Sequence, residues 1–194
     1  MTNNESGSFG GRLLIGASGS AAVAFLPMYI SALRNQFTGS VSVLLTHTAA
    51  EFLPAHTVGL FADHVITGGS SSTWPADNHV SLAADNDMLA VLPAAANLLS
   101  AVAAGAAPNM LSATILAANF PVLFFPVMSG EMWAKPAVQR NVSELRGDGY
   151  YVFDPPWGPR YDVHLGKAIE SPVPPPAPRF VELVREYMPG KPGA

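Results

Sequence analysis

Residues Arg12-Leu13-Leu14-Ile15-Gly16-Ala17-Ser18-Gly19-Ser20 pass from a short apolar run into a turn of small residues, and a helical pattern follows from Ala21 to Gln36. An apolar run of strand length, a glycine turn and a 3.6-residue period read as the strand–turn–helix opening of an α/β sheet. The unit recurs. Val41 to Leu45 is a second strand closed by Thr46-His47-Thr48, and Ala49 to Phe61 has a helical pattern that Pro54 interrupts. His64-Val65-Ile66 gives a third strand, a loop covers 68–78, and a helix opens near His79. Met88 to Leu92 runs as a strand into Pro93-Ala94-Ala95-Ala96-Asn97, and two alanine-rich helices divided at Pro108-Asn109 follow. Val122 to Phe125 is another strand, then come residues 126–133, a helix to about Arg146 and the strand Tyr150 to Phe153.

Strands alternating with helices predict an α/β protein of three layers, a Rossmann-like or flavodoxin-like parallel sheet with helices on both faces. Residues 1–10 are polar and read as a disordered N-terminus ahead of a single domain over 11–194. Within that domain 154–171 reads as a loop and 172–178 as a proline-rich segment, and a last helix puts Phe180, Val184 and Tyr187 on one face.

Composition narrows the function. With 194 residues, 49% of them hydrophobic, the chain can bury one sizeable core. Charged residues make up only 12%, which predicts that some surface is covered by a partner. The net charge is −4 and the ten Lys and Arg residues form no cluster, which argues against a nucleic-acid partner. The absence of cysteine excludes disulfides, thiolate metal sites and a cysteine nucleophile, and the five histidines lack the spacing of a metal site. The N-terminus carries no signal-peptide pattern, which gives a cytoplasmic expectation. No residue between Asp87 and Glu131 is charged, yet Pro93, Asn97, Pro108, Asn109, Pro121 and Pro126 interrupt the stretch. It therefore reads as buried elements at a subunit interface rather than a membrane span.

In an open parallel sheet, ligands gather at the carboxyl ends of the strands. Three segments lie there: 16–20, 46–48 and 93–97. Gly16, Ala17, Ser18, Gly19 and Ser20 offer flexible backbone, two hydroxyls and a helix N-terminus, which suit a phosphate; a plain tight turn is the other reading. The turn is not the GxGxxG fingerprint and no P-loop lysine follows. Thr46 and Thr48 either add hydroxyls to the same phosphate or cap a helix. His79, opening a helix at the ligand end, is either a surface or cap residue or a general base. Met128, Ser129, Met132 and Trp133 within 126–133 suit the wall of a flat aromatic ligand, or a core.

Together these residues resemble the homo-oligomeric flavin-containing cysteine decarboxylases. That family includes the epidermin and mersacidin decarboxylases of peptide antibiotic biosynthesis and the phosphopantothenoylcysteine decarboxylases of coenzyme A biosynthesis. The turn at 16–20, His79 ahead of Pro-Ala-Ala-Ala-Asn at 93–97, and Pro-Val-Met-Ser-Gly-Glu-Met-Trp at 126–133 follow the family's order. The likeness spans residues 12 to about 167 and includes Gln139-Arg140-Asn141 and Asp154-Pro155. Pro54-Ala55-His56-Thr57-Val58, with Phe61 and Asp63-His64-Val65, is similar to the mersacidin enzyme and favours the peptide (lantibiotic) branch.

The resemblance implies that residues 16–20, Thr46, Thr48, Pro93, Ala94, Ala95, Ala96, Asn97 and Met128 hold a flavin, FAD by preference and FMN as the alternative. It implies that His79 is the active-site base and places Ser129 at a catalytic position of the motif. Met132 and Val163-His164-Leu165-Gly166 would contact the substrate, with 154–171 as a clamp over the peptide end. A homo-oligomer, trimer or dodecamer of trimers, is also implied. In two departures, Ser129 stands where the motif has asparagine, and Ala95 where it has a small hydroxyl residue. Serine has a shorter reach than asparagine, so Ser129 bears on substrate geometry.

The chemistry is coherent. Loss of carbon dioxide from cysteine leaves a carbanion at Cα, which needs an adjacent electron sink. If the thiol-bearing carbon first gives up two electrons to a flavin, the resulting thioaldehyde conjugates that charge and ends as an enethiolate. On the C-terminal cysteine of a ribosomal precursor peptide, this enethiol would lead to the aminovinyl-cysteine ring of lantibiotic biosynthesis. Phosphopantothenoylcysteine decarboxylase is the alternative, weakened by the lack of a coenzyme-A-type second domain. A flavin prenyltransferase is weakened by the Met-Trp motif, and Ser129 keeps open a non-catalytic flavin-binding regulatory subunit.

Overall fold

The apolar runs form six parallel strands: β1 (Arg12–Ala17), β2 (Ser40–Leu45), β3 (His64–Thr67), β4 (Met88–Ala94), β5 (Val122–Pro126) and β6 (Tyr151–Val152). They lie in one sheet in the order β3-β2-β1-β4-β5-β6 in this computed structural model, which describes residues 8–68 and 77–190. This is the doubly wound, Rossmann-like order, and its switch point falls between β1 and β4.

Side chains alternate across a strand, so strands buried on both faces read as unbroken apolar runs. Leu13 and Ile15 point into one core with Val43, Ala90 and Phe125; Leu14 points into the other with Leu44, Leu89 and Phe124. The first core is closed by α1 (Leu26–Arg34) and α9 (Ala177–Tyr187), through Ile30, Leu33, Phe180 and Val184. The second is closed by α5 (Ala96–Ala103), α6 (Met110–Ala117) and α8 (Pro136–Gly147), through Leu98, Leu111, Ile115 and Leu145. Each fully buried leucine contributes about 2 kcal/mol. All of β4 and β5 is buried, so the chain's own core uses much of the charge-free stretch assigned above to a subunit interface. Exposed large apolar side chains occur elsewhere, at Phe25, Met28, Phe52 and Leu60.

Local chemistry sets the remaining boundaries. A 3-10 turn over Ala21–Phe25 precedes α1. The helical pattern over 49–61 splits into α2 (His47–Phe52) and α3 (Ala55–Val58) at Pro54, and α2 starts early because Thr46 Oγ1 accepts from Ala49 N at 3.3 Å. Two short helices, α4 (His79–Ala84) and α7 (Gly130–Trp133), precede β4 and follow β5. The expected loop over 154–171 is instead largely an antiparallel hairpin, β7 (Trp157–Asp162) with β8 (Lys167–Pro172). Its turn is fixed by Asp162 Oδ1 accepting from Leu165 N at 2.9 Å and by Gly166 at φ +63°, where a side chain would be strained.

Residues 1–7 of the expected disordered N-terminus lie outside the described residues, whereas Phe9 forms a bridge with Phe37. Of the loop over 68–78, residues 69–76 also lie outside them. Among the described residues no helix is long and apolar enough to cross a membrane.

Candidate active site

Because the six strands are parallel, the loops after β1, β2, β4 and β5 meet at one edge of the sheet. Ser18 joins two of them. It is 2% exposed, its Oγ donates to Pro93 O at 2.9 Å and accepts from Ala95 N at 2.7 Å, and its own N–H also reaches Pro93 O, at 3.1 Å. Thr46 N donates to Ala17 O and Val127 N to Ala94 O, which extends the tie to the ends of β2 and β5. Segments 16–20, 46–48 and 93–97 are therefore one structure, and the Ser18 hydroxyl is spent on holding it.

Ser18 being occupied, Gly19 and Ser20 are the members of the turn open to a ligand. No described residue accepts from their N–H groups. A Cβ on Gly19 would stand 2.7 Å from Thr48 Cγ2, so only glycine allows α2 this close. Thr48 is exposed, Thr46 caps α2, and Ser20 accepts from Ala22 N at 3.4 Å. Ala95 is the N-cap of α5 with no side-chain oxygen, Ala96 is half-buried and Asn97 exposed in its first turn.

Beside this turn lies an open cleft of about 690 Å³, walled by residues 20–25, by Val127, Met128 and Ser129 after β5, and by Pro159, Arg160, Pro172 and Val173 of the hairpin and its exit. Its size is that of a small-molecule site. Met128 and Ser129 thus line the cleft. Met132 is outside the cleft lining and half-exposed, its N–H capped by Ser129 Oγ at 3.3 Å. Val163, His164, Leu165 and Gly166 form the exposed hairpin tip and are also outside that lining. His79 is the exposed first residue of α4, whose N-cap Asn78 accepts from Val80 N and Ser81 N. Among the described residues nothing brings His79 to the cleft. Arg160 is a cleft residue that sequence reasoning missed, since one cation in an exposed segment carries no signal of its own.

The Glu131 carboxyl is held below its usual range, first by its own backbone N–H, then by the Ser129 hydroxyl, with Arg160 adding through space and Asp162 opposing. Ser129 Oγ itself accepts from Met132 N. The donors at Gly19 and Ser20, the close fit of Gly19 on Thr48 and the largely apolar cleft match the phosphate and the flat ring of a flavin.

Comparisons with known proteins agree. The family described as Flavoprotein matches residues 2–170. Mersacidin decarboxylase of Bacillus sp. (strain HIL-Y85/54728) is 36% identical over 144 residues, 74% of this chain and 73% of that protein. A variant of the peptidyl-cysteine decarboxylase EpiD, complexed with the substrate peptide Asp-Ser-Tyr-Thr-Cys, superposes with a TM-score of 0.82 at 25% identity, over 91% of this chain and 99% of that one. The FMN-dependent cysteine decarboxylase SpaF gives 0.67 at 34% identity, over 81% and 88%. The bifunctional coenzyme A biosynthesis protein CoaBC of Mycobacterium tuberculosis is 35% identical, but the chain spans only 35% of its length.

Proposed function

The chain belongs to the Flavoprotein family, and from that premise we propose that it oxidatively decarboxylates the C-terminal cysteine of a ribosomal precursor peptide. The enethiol product would lead to an aminovinyl-cysteine ring in lantibiotic biosynthesis. The observation that carries this reading is the likeness, over 91% of the chain, to a decarboxylase holding a peptide that ends in cysteine.

In this reading Gly19, Ser20 and Thr48 bind the cofactor phosphate, with Ser18 fixing the turn against 93–97. Phe25, Met128 and Val173 exclude water around the ring. When bound, the flavin would take two electrons from the thiol-bearing carbon, which makes that carbon, as a thioaldehyde, the sink for the charge left when carbon dioxide departs. The role of base that takes the proton from the substrate Sγ falls to His79 on the family resemblance alone, since nothing described brings it to the cleft, and the hairpin that carries residues 163–166 closes over the peptide end. FMN is favoured over the FAD expected from the mersacidin-like segment, on the strength of FMN-dependent SpaF at 34% identity. Exposed Phe25, Met28, Phe52 and Leu60 support a homo-oligomer, with a trimer or dodecamer as the expected states.

The test is the visible spectrum of the purified protein, chromatography of the chromophore released by heat, and mass spectrometry of Asp-Ser-Tyr-Thr-Cys after incubation. Flavin bands, FMN on release, and a peptide lighter by one carbon dioxide and two hydrogens are expected. A protein that binds no added flavin overturns the reading.

A further inference from the structure

This inference rests on the peptide-decarboxylase reading and names the group that selects a free chain end. Among the described residues lining the C-terminal cleft, Arg160 alone is charged, and Ser20 and Ser129 are the other polar ones. A single cation in an otherwise apolar wall is suited to one anion, and a guanidinium meets a carboxylate with two parallel N–H donors.

The competing partners are few. Arg160 Nη2 lies 3.7 Å from Asp162 Oδ2, too long for a hydrogen bond, and Glu131 acts on it only through space. Ser129, at the position where the family motif has asparagine, already accepts from Met132 N, and its side chain is the shorter of the two. Arg160 sits in β7 opposite Ile169 of β8, so the hairpin carries it as a unit.

We infer that Arg160 receives the C-terminal carboxylate of the peptide and restricts the enzyme to free chain ends. The role is binding rather than acceleration. The carboxylate is the group that departs as carbon dioxide, and its charge moves toward Cα in the transition state. A guanidinium fixed on the carboxylate therefore holds the ground state at least as strongly as the transition state. Loss of Arg160 should raise KM without lowering kcat.

The test uses the full, flavin-loaded chain. Fluorescence anisotropy would measure binding of labelled Asp-Ser-Tyr-Thr-Ser, which lacks the reactive thiol, and of the same peptide as its C-terminal carboxamide. Steady-state carbon dioxide release from Asp-Ser-Tyr-Thr-Cys would give KM and kcat. The wild-type chain is expected to prefer the free acid by about tenfold or more, Arg160→Gln to bind both peptides equally and raise KM by a similar factor, and Arg160→Lys to keep part of the preference. Arg160 is half-exposed, so folding is not at stake, and equal melting temperatures would verify this. If Arg160→Gln keeps the acid preference, or loses kcat while KM stays unchanged, the inference falls and the decarboxylase reading stands. If the wild-type chain, loaded with flavin, neither binds nor decarboxylates these peptides, both fall.

Discussion

Two clefts of similar size open at opposite edges of the sheet, about 690 Å³ at the C-terminal edge and about 710 Å³ at the N-terminal edge. They differ in what their polar groups are doing. At the N-terminal edge Arg12 gives two hydrogen bonds to Asp87 Oδ1, at 2.6 and 3.1 Å, and its backbone N–H a third, to Oδ2 at 2.8 Å. Arg185 there donates to Gln36 and lies 4.9 Å from the Phe9 ring centroid, while its Nε is buried without a partner. At the C-terminal edge two backbone N–H groups of the glycine turn have no described acceptor, and among the described residues Arg160 has no carboxylate within hydrogen-bond reach. Volume does not separate the two, whereas the backbone N–H groups left open by the glycine turn are found at the C-terminal one.

The largest effect expected from this contrast is at Ser18. Ser18→Ala strips Ala95 N of its buried acceptor and leaves Pro93 O with the Ser18 N–H alone, which should cost about 2 kcal/mol and lower Tm by roughly 4–8 °C. Flavin content should fall with it, since the joined loops lose their tie. A variant that melts lower yet retains flavin fully would show that the C-terminal loops do not act as one structure.

A smaller effect is expected at Gly19. Its substitution by alanine drives a Cβ against Thr48 and should weaken flavin binding about tenfold, equivalent to about 1.4 kcal/mol. Unchanged affinity in a flavin titration would move the phosphate away from this turn.

The smallest lies at the N-terminal edge. The Arg34 guanidinium, helped by Val41 N–H, holds the Asp63 carboxyl below its usual range against the opposing effect of desolvation. A depressed folded pKa means that the stabilisation is present above the unfolded value near 3.9 and is lost as pH falls through the folded value. Asp63→Asn should therefore cost less than about 1 kcal/mol at neutral pH, the pair being largely exposed, and its Tm deficit should vanish in acid. Flavin content should not change. If it does, the two edges are coupled and the contrast fails.

Much of this was legible in the sequence. Unbroken apolar runs ending in Gly-Ala-Ser-Gly-Ser, Thr-His-Thr and Pro-Ala-Ala-Ala-Asn mark doubly buried strands whose loops share an edge. The hairpin was not legible because β7 and β8 are exposed along most of their length, so no alternation of apolar and polar residues records them, and Pro159 argues against a strand. Ser18 was assigned to the right region for a different task. A serine in a glycine turn signals a hydroxyl, but only the fold shows which groups it reaches. Thr46 had both readings open, and its helix cap is the one observed.

The hairpin adds no strand to the main sheet, and its two arms are linked at the root by Val173 N donating to Pro156 O at 2.9 Å. It meets the glycine turn only across the cleft that both of them line. If the hairpin is the part that meets the peptide, as proposed above, a new peptide specificity can be sought by exchanging residues 157–172 while keeping Trp157 against Gly130.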